Sequence, residues 1–190
     1  MRGYFAIGVE GLSKPVNFGN LMRCAHALGA SFFFTVNADK AIGRSPVSDT
    51  SRSLDHLPYY AWPDVASMAL PRNCRVVAVE LTDAAIDLPS FAHPRHAAYV
   101  LGPERGSLSA AMLSRADHVI RIPAAFSINV ATAGAIVMYD RIRMIGGFAG
   151  RPARPGGPKN EPAAAYGGPY YRGGEKVRDR KKRAASRSRT

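Results

Sequence analysis

Three short stretches of this chain hold residue types suited to gripping a polar ligand and steering a proton or a charge. In the first, Asn17, Gly19 and Arg23 stand in the spacing Asn-x-Gly-x-x-x-Arg. Asn17 is placed to cap a helix, and Gly19 lets a backbone or a substrate approach closely. Arg23 brings a guanidinium able to engage a phosphate or a hydroxyl. The second stretch reads Leu101-Gly102-Pro103-Glu104-Arg105-Gly106-Ser107-Leu108-Ser109. Its glycines and proline force a tight loop with exposed backbone donors, and Glu104 and Arg105 set opposite charges side by side. It lacks the Gly-Lys-Ser/Thr of a P-loop, and the chain has no Gly-x-Gly-x-x-Gly. The third starts at Ile122-Pro123 and continues through Ser127, Ile128, Asn129 and Val130 into an alanine-rich run. Ser127 and Asn129 put a hydroxyl and an amide at a helix N-terminus, the end that attracts anions. Taken singly, each stretch has an ordinary explanation as a helix start, a strand-to-helix turn or a capped, closely packed helix.

The elements that must position these residues follow from periodicity. Residues 4–9 form a short β-prone apolar run. Residues 17–28 have helical spacing, with Leu21, Cys24, Ala25 and Leu28 on one face and Gly29 where a helix ends. Residues 31–36 read as a buried strand, and 37–57 as a long polar connection of the kind that often carries function. Residues 62–70 are helix-like, with Pro63 suited to a first turn. Strands are predicted at 75–80, 97–101 and 118–122, and helices at 109–115 and 129–145. This alternation predicts an α/β domain with a largely parallel sheet. In such sheets ligands bind at the carboxyl ends of strands, which directs attention to the loops after residues 79, 101 and 122.

A chain of 190 residues with 46% hydrophobic content can bury a core, and its net charge of +12 points to a polyanion partner. The charge is uneven: residues 151–190 hold 12 Lys/Arg against Glu161, Glu175 and Asp179, whereas residues 1–150 hold 14 against 11 acids. The last stretch is also rich in Pro and Gly and ends in Arg180-Lys181-Lys182-Arg183 and a Ser/Arg alternation. We therefore expect a folded body over residues 1–150 and a flexible basic tail over 151–190, attracted to phosphates without regard to sequence. Tyr166, Tyr170 and Tyr171 within it are candidates for base stacking. Cys24 and Cys74 show no metal-ligand spacing and are expected to be reduced and buried. The absence of a signal-like start, of a membrane-length apolar run and of a basic amphipathic helix predicts a cytoplasmic protein without a membrane role.

In this order and spacing, the three stretches resemble the SpoU/TrmH family of RNA 2′-O-methyltransferases in the SPOUT superfamily, over about residues 4–145. The resemblance implies an α/β SPOUT-type fold with a parallel-rich sheet and a C-terminal trefoil knot. It also implies a homodimer, S-adenosyl-L-methionine (SAM) as methyl donor with no metal, and tRNA or rRNA as acceptor. It assigns catalysis to Arg23, Asn17, Glu104 and Asn129, and cofactor binding to Val79, Glu80, Leu101, Gly102, Ile122, Ser127 and Ile128. Arg23 would come from the other subunit, either as the base for the ribose hydroxyl or as a ligand for the neighbouring phosphate. A guanidinium is protonated at ordinary pH, so the base role demands exceptional surroundings. The segment from Phe126 to Asn129 is short beside some relatives, which leaves the substrate class open. Two other readings stay in view: a non-catalytic RNA- or ribosome-associated protein, and a SPOUT enzyme that methylates an RNA base.

Overall fold

The computed structural model describes residues 3–42, 53–146, 148, 151 and 154–157. The chain divides into two units after Ile145, and every element below lies in the first. The stretch expected to be a basic tail, with Tyr166, Tyr170 and Tyr171, falls almost wholly outside the described residues.

Apolar runs rich in Phe, Val and Ile build the strands β1 (Tyr4–Glu10), β2 (Phe32–Val36), β3 (Tyr59–Trp62), β4 (Arg75–Val79), β5 (Ile86–Asp87), β6 (His96–Leu101) and β7 (His118–Arg121). They form one sheet of seven strands in the order β3-β2-β1-β6-β4-β7-β5, and every pairing is parallel. A parallel sheet needs cover on both faces. The strands supply it by alternation. Phe5, Ile7, Phe33, Val77 and Tyr99 point to one apolar layer with Phe18, Leu21, Val137 and Met138, which belong to helices α1 (Pro15–Ala27) and α3 (Val130–Ile145). Ala6, Phe34, Val76, Ala78 and Val100 face a second layer with Met68, Leu108 and Met112, the last on the short helix α2 (Ala110–Arg115). Cys24 and Cys74 are unpaired and half-buried.

The small-residue spacing of the third stretch has its explanation in the α1–α3 contact. A Cβ on Gly134 would lie 2.3 Å from Leu21 Cδ1 and 3.2 Å from Ile7 Cδ1, so only glycine lets α3 settle this close to α1 and the sheet.

Two local expectations are corrected. Residues 62–70 form no helix. Tyr59–Trp62 instead adds a strand beside β2, with Tyr59 packed on Phe18 and Trp62 on Phe34. The chain then turns where the Ser67 amide donates to Asp64 Oδ1 at 2.7 Å and the Ser67 hydroxyl donates to the Asp64 carbonyl at 2.9 Å. Such local side-chain bonds compete with helix formation. The turn is tied down by Arg115, whose guanidinium donates to the carbonyls of Val65 and Met68. Asn17 does not cap α1 either: Lys14 is the N-cap, without a side-chain bond, and Pro15 opens the first turn.

The other end of the body is fastened by buried polar groups. Arg141, only 3% exposed, donates to the carbonyls of Pro94 and Arg95, and its guanidinium lies over the Phe5 ring at 5.1 Å. His93 sits between the Tyr99 hydroxyl (Nδ1, 2.6 Å) and Asp140 (Nε2, 3.1 Å). A carboxylate only accepts, so His93 Nε2 carries the proton toward Asp140 and Nδ1 accepts from Tyr99. Burial agrees with this assignment. It pushes the Tyr99 hydroxyl up to about 12 and lowers His93 against the pull of Asp140, so both groups stay neutral.

Candidate active site

β4, β6 and β7 end at one edge of the sheet, and the loops leaving them enclose a hollow of about 350 Å³. Its walls come from all three stretches and from helices α1 and α3. Val79 ends β4 and Glu80 follows it; Leu101, Gly102, Pro103 and Glu104 leave β6; Ile122, Ser127, Ile128 and Asn129 lead from β7 into α3; Asn17 enters from α1. Of the residues assigned from sequence, only Arg23 does not line the hollow; it is exposed on α1.

The polar part of the wall is a chain of hydrogen bonds. Asn129 Oδ1 accepts from the Ala131 amide at 2.9 Å, capping α3, while Asn129 Nδ2 donates to Asn17 Oδ1 at 3.0 Å. Asn17 Nδ2 donates in turn to Glu104 Oε1 at 3.0 Å. The Glu104 carboxylate also accepts from the Lys14 amide at 3.0 Å and from the amide and hydroxyl of Ser13 at 3.1 and 3.0 Å. Glu104 thus fixes the chain that leads into α1 and sets a negative charge near that helix's N-terminus, from 90 residues away in sequence. Partial burial alone would raise its pKa, but the donors from Asn17, Ser13 and Lys14 hold the carboxyl below its usual range. It is a fixed anion and a poor proton acceptor.

Two more glutamates hold the loop after β6. Glu80 accepts from the Leu108 amide at 2.7 Å and the Leu81 amide at 2.9 Å. Glu10, buried at the end of β1, accepts from the Ser109 hydroxyl at 2.6 Å and the Ser109 amide at 2.9 Å, while Ser109 caps α2 through the Met112 amide. The loop is therefore braced at 108 and 109, leaving Gly102 and Gly106 on the hollow side. A Cβ on Gly102 would be in ordinary contact with Leu108 N at 3.5 Å and Glu80 Oε2 at 3.6 Å, so the backbone of Gly102 is packed against the braced part of the loop.

The ordered convergence of these motifs on one hollow agrees with the match to known sequences, in which the SpoU rRNA Methylase family's sequence model covers residues 4–139. The chain belongs to that family. No protein of curated function matches the sequence. Among solved structures, the fold is similar to the SpoU methyltransferase AviRb from Streptomyces viridochromogenes, at 23% identity and a TM-score of 0.66 over 76% of this chain and 61% of that one. An AdoMet-bound rRNA methyltransferase from Sinorhizobium meliloti is similar at 24% identity and a TM-score of 0.65, over 75% of this chain and 57% of that one. A structure described as giving insights into 2-OH methylation of C/U34 on tRNA matches at 25% identity and a TM-score of 0.64, over 76% of this chain and 98% of that one. The chain spans about three fifths of the length of the first two. These likenesses confirm the α/β fold with its parallel sheet as that of the SpoU enzymes.

Several residues of the hollow escape sequence reading. Ser13 and Lys14 donate to Glu104, and Lys14, Arg121 and Phe126 line the hollow. Arg121 is held by Asp87 at 2.6 Å. Ser13 and Lys14 lie ahead of the first motif, and Glu104 meets both through their backbone amides, which no residue pattern marks. Phe126, at 77% exposure, lies inside the third stretch but has no partner type that sequence spacing could flag.

Proposed function

We propose that this chain transfers a methyl group from SAM to a ribose 2′-hydroxyl of structured tRNA or rRNA. The observation that carries the reading is the single hollow shared by Asn17, Gly102, Glu104, Ile122 and Asn129. Its residues fit the cofactor. The volume of about 350 Å³ falls in the range of small-molecule sites, Val79, Leu101, Ile122 and Ile128 supply an apolar wall for an adenosine, and the fixed anion Glu104 suits a cationic donor. SAM supplies a methyl on a positively charged sulfur; the chain supplies alignment. Val79, Glu80, Leu101, Gly102, Ile122, Ser127 and Ile128 hold the donor in this reading, while Asn17 and Asn129, locked by their mutual bond and by Glu104, keep the polar wall in place.

Arg23 then reaches the hollow of a second copy in a homodimer. Support comes from its place outside its own hollow and from Val16, Ile136 and Tyr139, which leave apolar surface exposed on α1 and α3. There it binds the phosphate beside the target ribose or draws off the hydroxyl proton. The sheet order, with β4 between β6 and β7 while the loops from all three meet, supports the knotted path implied by the family. No helix among the described residues is long and apolar enough to cross a membrane, in keeping with a cytoplasmic enzyme. The basic stretch 151–190 adds phosphate attraction.

The test uses purified protein, labelled SAM and RNA from a strain lacking the gene, with the product nucleoside identified by mass spectrometry. We expect a 2′-O-methylated ribose; a methylated base, or no transfer and no SAM binding, sinks the reading. Arg23→Ala and Gly102→Val should each be inactive alone. Mixed and re-annealed, they should regain part of the activity, since a mixed dimer holds one intact composite site; a mixture as inactive as its parts would exclude donation of Arg23 across subunits.

A further inference from the structure

Phe126 is 77% exposed, the highest value among the large apolar side chains of the described residues, and it stands in the wall of the hollow. Residues 123–127 around it are all exposed, so the loop is open to solvent. Isolated apolar groups on a surface need no explanation. A phenylalanine at the mouth of a ligand site is different, because its ring forgoes burial that neighbouring apolar side chains enjoy. We infer that Phe126 is the stacking platform for a nucleobase of the acceptor RNA, a role that rests on the methyl-transfer reading above.

Two observations choose a base of the RNA over the adenine of the cofactor. Val79, Leu101, Ile122 and Ile128 already give the hollow an apolar wall fit for an adenosine. Phe126 keeps most of its surface outward, where a large partner rather than an enclosed small one can cover it. Lys14 lines the same hollow and brings a cation for the phosphate of the stacked nucleotide. An aromatic face and a cation in one hollow form a combination that single-stranded RNA meets in its binding proteins, and unstacked bases lie on such faces whatever their identity.

The natural chain has one tryptophan, Trp62. In Phe126→Trp, a second indole reports directly on stacking. We expect its emission to be quenched by an oligouridylate and by undermethylated total RNA, to a degree not seen in the wild type, and to be unmoved by SAM alone. Phe126→Ala should raise KM for RNA by roughly five- to a hundredfold, the range for losing one stacked base. Phe126→Tyr should restore it, and the affinity for SAM and the mass in solution should match the wild type. Quenching by SAM alone, or equal loss of SAM and RNA affinity in Phe126→Ala, would make the ring an adenine cover and overturn the proposal. A changed mass would make it a subunit contact, and an unchanged KM a bystander; either also overturns it. Quenching by RNA requires no methyl transfer. Intact quenching in an inactive protein would therefore count against the enzyme alone, and methyl transfer without quenching against the platform alone.

Discussion

Glu104 shows how one side chain ties distant parts of the site together. Each of its oxygens accepts two bonds, from Ser13 on one side and from Lys14 and Asn17 on the other. Glu104→Gln keeps the shape but turns an amide toward two of those donors. The expected cost is about 1–2 kcal/mol, small because the carboxylate is only partly buried. Its pH dependence has a definite sign. The folded pKa lies below the usual 4.5, so the carboxylate stabilises the fold above that value and loses this contribution as pH falls through the folded pKa. Urea midpoints should therefore show the wild type ahead of Glu104→Gln at neutral pH, with the gap closing in acid. A constant gap would mean that the charge of Glu104 contributes nothing.

At the scale of elements, α3 is held at both ends of the sheet by different means. Near the hollow the constraint is steric. Gly134→Ala gains about 1 kcal/mol of helix propensity but forces a methyl against Leu21 and Ile7, an overpacking that costs about 1–3 kcal/mol. We expect a net loss of about 1 kcal/mol in chemical denaturation, with Leu21→Ala and Gly134→Ala together costing less than the sum of the two. Additive losses would place the strain elsewhere. At the far end the fastening is polar and acid-sensitive. Burial, the main cause, lowers His93 below its usual 6.5, so neutral His93 stabilises the fold above 6.5 and that stabilisation is lost as pH falls through the folded value. Melting temperatures followed from about pH 7.5 to about pH 5 should fall for the wild type and fall less for His93→Gln, which has no ring to protonate. Parallel curves would assign the acid sensitivity to another group.

For the whole molecule, the uneven charge makes a separate prediction. Residues 151–190 carry 12 of the 26 Lys/Arg. If these residues meet phosphate, ending the chain after Gly150 should weaken RNA binding and flatten the dependence of log K on log salt by about 0.7 per lost contact. An unchanged slope would leave RNA capture to the body alone. SAM affinity, measured by calorimetry, should not change, because among the described residues none that lines the hollow lies beyond Ala133.

Much of this molecule could be read in one dimension wherever the causes are local. Strand runs such as those read at 4–9 and 97–101 need only their own apolar residues, and Asn129 caps its helix within three positions. The three motifs announced a site because residue type and spacing are properties of the chain. Other features depend on partners far away in sequence. Tyr59–Trp62 is a strand because β2 lies beside it, and the helical look of 62–70 gave way to that pairing and to the Asp64–Ser67 turn. Asn17 left its expected capping task because Glu104 and Asn129, 87 and 112 residues away, were brought to its amide. The family resemblance carried by the three motifs named most residues of the hollow; only the packed sheet decided which atoms face each other, because long-range hydrogen bonds and burial exist only once the chain has closed on itself.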